Sequence, residues 1–295
     1  MEIIRTDIPV MKDRSKITRE IATFWNKTSE GFQTVWGPHI HHGYFEDHKE
    51  TPVEAQEKLI EKLVELLEIS SPDKVLDVGC GMGSSSIYLA NKFHVDVTGI
   101  TLSPRQVEIA TQAARKEQQD KVTFKVEDAL SLASFADYSF DLVWSLESCE
   151  QFYDKSLFLQ QAFRVLKPGG SLMLATWCSG ADEYKGVEAK KYIKLCRAFQ
   201  LPCMPTIMRY VQLLQQQGFV IKNVLNWSEN VWESWKIGRD NMRAHSFFKI
   251  FELSGWQGLL FMKNAKLMQQ GFEEGRIEYG VFSACKPLLA YKATA

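Results

Sequence analysis

Residues 76–90 read LDVGCGMGSSSIYLA, and this glycine-rich run constrains the fold more than any other stretch. The residues before it, Lys74-Val-Leu-Asp-Val78, are apolar and β-branched, as in a strand buried on both faces. After it, Ile87, Leu89, Ala90 and Phe93 recur at roughly helical intervals. The glycines therefore sit at a strand-to-helix turn, where a backbone without Cβ can approach a ligand. Gly79, Gly81 and Gly83 are spaced G-x-G-x-G, and Ser84 stands where a nicotinamide or flavin fingerprint needs its third glycine. Gly83 is followed by Ser84 and not by the Lys-Ser/Thr of a Walker loop, which excludes that reading. Asp77, just before the first glycine, would repel a pyrophosphate but suits a ligand carrying an ammonium group. S-adenosyl-L-methionine (SAM) combines an amine, a sulfonium and a nucleoside. The competing reading is a tight turn in another α/β protein, with Asp77 as a local cap.

Candidate strands at 74–78, 95–100, 122–126, 140–145 and 171–177 alternate with helices, the last helix ending at Lys167-Pro-Gly-Gly170. Such alternation predicts a doubly wound parallel sheet. Ahead of it, Thr51-Pro-Val-Glu54 is a capping box that starts a helix striped by Leu59, Leu63, Leu66 and Leu67. Beyond it, helices are expected at 182–200, 206–217 and 230–274, with strands at 218–227 and 276–288. The predicted division is an N-terminal helical and capping segment (1–70), a ligand-binding core (71–180), and acceptor-binding cap helices with the last strands (181–295). The aromatic cap helices also suit a thickened core or a dimer interface, and nothing in the sequence sets the oligomeric state.

The chain has 295 residues and a formal net charge of -1 without a basic run, so nucleic-acid binding is not expected. No run of about 18 apolar residues marks a membrane span. Six cysteines without a C-x-x-C pair point to reduced thiols in a cytoplasmic compartment. The N-terminus has no apolar core of signal-peptide length, and a trimmed organelle presequence is compatible with it.

The second strand runs into TGITLSPRQ, with Thr101 where dinucleotide folds carry an acidic ribose ligand. Thr101 and Gln106 can supply ribose contacts instead. Locally, Ser103-Pro-Arg-Gln106 is also a capping box. Asp128, past the third strand, is placed to accept from an adenine amine or to cap the next helix. The fourth strand ends in Ser145, Glu147, Glu150 and Gln151, a concentration of carboxylates that suits either chemistry or a solvated sheet edge. Trp177, Trp227, Trp232, Trp235, Phe247 and Phe248 make the expected cap aromatic.

VWGPHIHHGYF, VLDVGCGMGSSS, GITLSPRQ, DLVWSLES, LKPGG, TWC, NWSENV and GFEEGRIEYGVFSACKPL together resemble the SAM-dependent methyltransferases of the tocopherol methyltransferase group. The pieces cover nearly the whole chain. The layout is more distantly similar to cyclopropane-fatty-acid synthases and to plant indole-alkaloid N-methyltransferases. The resemblance implies a class I SAM-methyltransferase fold, a Rossmann-like α/β sheet of seven strands, the last antiparallel, with an inserted helical cap. It implies that Asp77, Gly79, Gly81, Gly83, Thr101, Leu102, Gln106, Asp128, Ala129 and Ser145 face SAM, with His41 closing over the methionine end. Trp177, Tyr153, Trp232 and Phe247 are expected to hold the acceptor. Of the His39, His41 and His42 trio no metal is expected, because the related families do not use these positions for one. The group usually carries Glu-His where this chain has Glu150-Gln151. Gln cannot act as a general base near neutral pH, so any proton removal falls to Glu150, to an N-terminal His, to Tyr153 or to no side chain. Glu150, Gln151 and His41 are the expected catalytic residues. That departure favours an amine or indole nitrogen acceptor over a phenol. The expected activity is methyl transfer to an apolar, ring-containing small molecule of secondary metabolism. Tocopherol-type or isoprenoid C-methylation is the alternative, and SAM binding without transfer the non-enzymatic one.

Overall fold

Val75, Leu76 and Val78 are almost wholly buried, and so are their neighbours on both faces of the sheet. The computed structural model describes residues 3–47, 49–67, 74–244 and 247–288. In chain order the elements are β1 (Ile3–Arg5), α1 (Arg14–Trp36), α2 (Pro52–Glu65), β2 (Lys74–Val78), α3 (Ser84–Phe93), β3 (Asp96–Thr101), α4 (Pro104–Lys116), β4 (Val122–Val126) and β5 (Phe140–Leu146). They continue as α5 (Lys155–Val165), β6 (Leu166–Ser179), β7 (Glu183–Lys185), α6 (Gly186–Ala198), α7 (Ile207–Gln216), β8 (Val220–Asn226), α8 (Ser228–Val231), α9 (Glu233–Ala244), α10 (Phe247–Glu273) and β9 (Ile277–Cys285).

Seven strands form one sheet in the order β4-β3-β2-β5-β6-β9-β8. β2 pairs in parallel with β3 and β5, and β9 runs antiparallel to both β6 and β8. Only the last strand of the sequence is reversed, as the class I methyltransferase resemblance implied. Alternate residues serve opposite faces, as the two-residue period requires. Val75, Trp144, Met173 and Ala175 join one core cluster with Leu59 and Leu63 of α2. Leu76, Val143, Leu172 and Leu174 join another with Phe158, Leu159 and Tyr210.

The capping box of α2 forms in both directions. Glu54 N donates to Thr51 Oγ1 at 3.3 Å, and Thr51 N donates to Glu54 Oε2 at 2.8 Å. Four local expectations change. The β4–β5 connection holds turns and no helix, organised by Asp128 Oδ1 accepting from Leu130 N at 2.9 Å. Lys167–Gly170 is the start of β6 and not a helix end, because α5 stops at Val165. The 182–200 segment opens with β7, which pairs antiparallel with β1, before turning helical. The long helical region breaks at Gly255, whose φ of 57° lies in the left-handed region.

α1 carries the N-terminal segment across the sheet to pack on α10, α9 and α4. Asp13 caps it, accepting from Lys16 N at 2.9 Å. Ile17, Ile21, Phe24, Thr28 and Phe32 line its buried side. Tyr192 ties the segment down beyond β1, donating to Thr6 O at 3.1 Å and accepting from Met204 N at 3.0 Å.

Candidate active site

The strands β2, β3, β4 and β5 all end at one cavity, the usual ligand position of an open α/β sheet. Its walls include Asp77, Gly79, Gly81, Thr101, Leu102, Gln106, Asp128 and Ala129. Ile21 and Trp25 of α1, with Pro38–His41, form the cover. The glycines do three different jobs. At Gly79 (φ +82°) a Cβ would lie 2.2 Å from Ser148 Cβ, so the loop after β5 can only approach a glycine. At Gly83 a Cβ would lie 2.5 Å from Phe124 Cζ and 2.8 Å from Ala110 Cβ, so this glycine lets α3 pack closely. At Gly81 (φ +54°) nothing stands within 4 Å of a Cβ, and the residue faces open space in the cavity wall.

Asp77 is buried, and its Oδ2 accepts from Ser86 Oγ at 2.5 Å. Among the described residues no cation pairs with it, and burial pushes its carboxyl up to about 7. Thr101 Oγ1 donates to Gln106 Oε1 at 2.6 Å, so the two form one unit. Ser103 Oγ caps α4 by accepting from Gln106 N at 3.1 Å, but the Gln106 side chain bonds Thr101 in place of closing the box. His41 Nδ1 lies 2.7 Å from the carbonyl of His42, which fixes its proton there. Among the described residues His41 Nε2 is buried without a partner, and burial lowers the ring's basicity.

A second cavity adjoins the first, with Trp25, Ile40, Glu147 and Gln151 lining both. Its remaining lining is chiefly aromatic and includes Phe32, Trp36, Trp177, Phe199, Trp235 and Phe261. His42 and Glu150 also line it. Glu147 is buried and accepts three bonds: from His42 N at 2.8 Å, from the His42 ring at 2.6 Å, and from Tyr279 Oη at 2.8 Å. Burial raises its carboxyl, but the His42 and His41 rings and the His42 N–H together bring it below the usual range. Glu150 is pushed the other way, up to about 8, by burial and by the Glu147 charge. It accepts from Thr176 Oγ1 at 2.8 Å.

Residues 69–231 match the family model described as a methyltransferase domain. The tocopherol O-methyltransferase of Arabidopsis thaliana chloroplasts is 34% identical over 291 residues, covering 92% of this chain and 83% of that one. The chain is a SAM-dependent methyltransferase of the tocopherol methyltransferase-like group. The 2-methyl-6-phytyl-1,4-hydroquinone methyltransferase of Synechocystis is 32% identical, covering 88% of this methyltransferase and 85% of its own length. The fold is shared with the crystal structure of the [4+2]-cyclase SpnF at a TM-score of 0.80 and 23% identity, over 95% and 99% of the two chains. The methyltransferase uses SAM, and the first cavity fits it. A buried carboxylate without a cationic partner suits the ammonium, and the open face of Gly81 leaves room for a ligand against the backbone.

Of the residues expected to face SAM, the first cavity of the methyltransferase gathers all but two. Gly83 turns its open face to Phe124 and Ala110, and Ser145 Oγ pairs with Ser148 Oγ at 2.9 Å beneath the floor. Among the expected acceptor residues Trp177 lines the second cavity, whereas Tyr153 and Trp232 line neither. The Tyr153 hydroxyl donates to Lys12 O at 2.9 Å, away from the sheet ends. Trp232 ends α8, and Trp235, on the next turn, is the tryptophan that reaches the cavity. The side chain of Phe247 lies outside the described residues, as does that of Phe248. The three histidines are divided: His39 and His41 line the first cavity, His42 the second. Among the described residues no group of three His, Cys, Asp or Glu side chains is arranged to hold a metal. Sequence reasoning missed Ile21, Trp25, Phe32 and Phe261. The buried Ile17-Ile21-Phe24 spacing of α1 was the available signal for the first two.

Proposed function

We propose that the enzyme moves a methyl group from SAM in the first cavity to an apolar, ring-containing small molecule in the second. One observation carries this reading: the two cavities share the wall formed by Trp25, Ile40, Glu147 and Gln151, and the second is aromatic. When bound, SAM supplies an electrophilic methyl on a sulfonium. The protein's part is to orient both partners in line and keep water out. Asp77 pairs with the ammonium, and Thr101 with Gln106 takes the ribose. Asp128, flanked by Leu102 and Ala129, meets the adenine, and His41 closes over the methionine end. Glu150, held by Thr176, and Gln151, held by Trp25 Nε1 at 2.8 Å, border the transfer path.

The acceptors named for the two curated relatives, a tocopherol and a phytylated hydroquinone, are apolar ring compounds of this kind. Nucleic acid has no part in the reading. Among the described residues no helix is long and apolar enough to cross a membrane. The six cysteines are all free thiols, which supports a reducing, cytoplasm-like compartment. Incubation with methyl-labelled SAM and a panel of prenylated phenols, indoles and amines tests the proposal. Label transferred to a ring-containing acceptor is the expected result. SAM binding without transfer to any ring compound would reject it.

A further inference from the structure

His42 is 1% exposed and is enclosed by aromatic rings, those of Trp36, Trp177, Trp235 and Tyr279 among them. Its Nδ1 lies 2.6 Å from Glu147 Oε2. An ionised carboxylate only accepts, so the proton of a neutral ring sits on Nδ1 and the lone pair on Nε2. Among the described residues Nε2 is buried with no hydrogen-bond partner, on a residue that lines the second cavity. The Glu147 backbone adds a second observation. Its φ is +51°, a left-handed conformation that a residue with Cβ adopts at a cost. The three donors onto its carboxylate, with Glu147 N donating to Ala175 O at 2.8 Å, hold it there. A buried acid and imidazole are expensive where an apolar pair would pack as well.

We propose that His42, oriented by Glu147, is the general base of methyl transfer, and that the acceptor presents a phenol hydroxyl to Nε2. The inference rests on the acceptor site proposed above and concerns the group that takes the acceptor's proton. The phenol O–H bond breaks and its proton passes to Nε2. The electron pair left on oxygen, shared with the ortho ring carbon, forms the bond to the methyl carbon. The carbon–sulfur bond breaks with its pair going to sulfur, which becomes a neutral thioether. If the ring carbon is the one methylated, its own proton is lost as the hydroxyl and the aromatic ring are restored. The positive charge on His42 is met by the Glu147 carboxylate, and the ring returns its proton to solvent after release. Trp177 and Trp235, also in this cavity, each have an indole N–H without a partner, suited to a hydroxyl or phenolate oxygen. A base at His42 removes the need for one at Gln151, so the Gln departure no longer favours nitrogen. The charged or titratable groups facing His42 are Glu147 from the loop after β5, Tyr279 of β9, His41 beside it, and Glu150 across the cavity.

The test uses the full chain with labelled SAM, a phytylated methylhydroquinone, its ring-fluorinated analogue with a more acidic phenol, and an indole amine. His42→Asn keeps a donor toward Glu147 but has no Nε2. Its turnover of the hydroquinone at pH 7 should fall about 10²–10⁴-fold, with SAM affinity measured on the same preparation within threefold of the parent. The fluorinated phenol should lose less. The variant's rate should climb about tenfold per pH unit toward the phenol's own ionisation near 10, where the parent levels off. Glu147→Gln, a second variant of the same shape, should lose turnover in the same order across the phenols. Full turnover by His42→Asn, or equal loss on both phenols, overturns the proposal. Label transfer only to the indole amine overturns the phenol assignment and leaves the acceptor site standing. Transfer to none of the three rejects the acceptor reading itself.

Discussion

Trp25 Nε1 donates to Gln151 Oε1 at 2.8 Å, joining α1 to the loop after β5 within the wall that both cavities share. The bond sets the position of the cover relative to the transfer path. Trp25→Phe and Gln151→Leu should each lower turnover more than SAM affinity. In a double-mutant cycle the two should couple by about 1 kcal/mol. Additive effects on both turnover and stability would leave the bond without a role.

In the proposed site, Asp77 is the residue whose charge SAM has to create. Burial holds its carboxyl at about 7 in the free protein, against about 3.9 in an unfolded chain. Below that value a proton occupies the site, and binding of the cationic amine displaces it. Affinity should therefore rise by up to tenfold per unit between about pH 5 and about pH 7, then level. Calorimetry in buffers of different ionisation enthalpy should show one proton released on binding at pH 6. Asp77→Asn should flatten the profile and cost an order of magnitude or more at pH 8, since a charge-assisted contact contributes about 1.5–3 kcal/mol. The same shift makes the ligand-free protein lose stability as pH rises from about 4 to about 7, because the unfolded chain gives up its proton first.

Burial and the Glu147 charge push the Glu150 carboxyl up to about 8, which favours the protonated form at pH 7. Gln is then a close replacement. Glu150→Gln should retain most activity at pH 7. Its melting temperature should gain on the parent as pH rises from about 4.5 to about 8, the interval in which only the unfolded Glu is ionised. A melting-temperature difference that does not change with pH would show that Glu150 is ionised in the fold.

The glycines should separate in a substitution experiment. Gly79→Ala drives a Cβ into Ser148 and takes a left-handed φ, and should abolish soluble folded protein or SAM binding. Gly81→Ala meets no atom within 4 Å, so it should fold and lose only about 1–2 kcal/mol in thermal unfolding for its φ. Equal damage from both would remove the distinction between packing and open wall.

The residues of the first cavity were legible because they are local. Asp77, Gly79 and Gly81 are fixed by one strand and one turn, and a strand's end marks the ligand side of the sheet. The acceptor half comes from distant segments, and residue type does not show which way a side chain turns. Trp232 and Trp235 look equivalent in the sequence, and one helical turn decides between them. Tyr153 and Ser145 sit within a few residues of Gln151, yet point elsewhere. α1 was obscured because Thr28, Ser29 and Gly31 occupy its buried face and blur the apolar stripe. Glu147 looked like one acid among several until the fold put His42 and Tyr279 against it.

His42, Glu147 and Tyr279 meet from near the beginning, the middle and the end of the chain. Their meeting has a consequence for how the enzyme is made. Local pairs such as β2 with β3 can form as soon as both are synthesised, but the Glu147 clamp waits for β9, the last strand of the sheet to leave the ribosome. Contacts of such sequence separation form slowly and late. Nascent chains can thus assemble the SAM cradle before any of them can hold Glu147 in its left-handed turn. The three-way contact around Glu147 can therefore close only in chains that have been read through the last strand of the sheet.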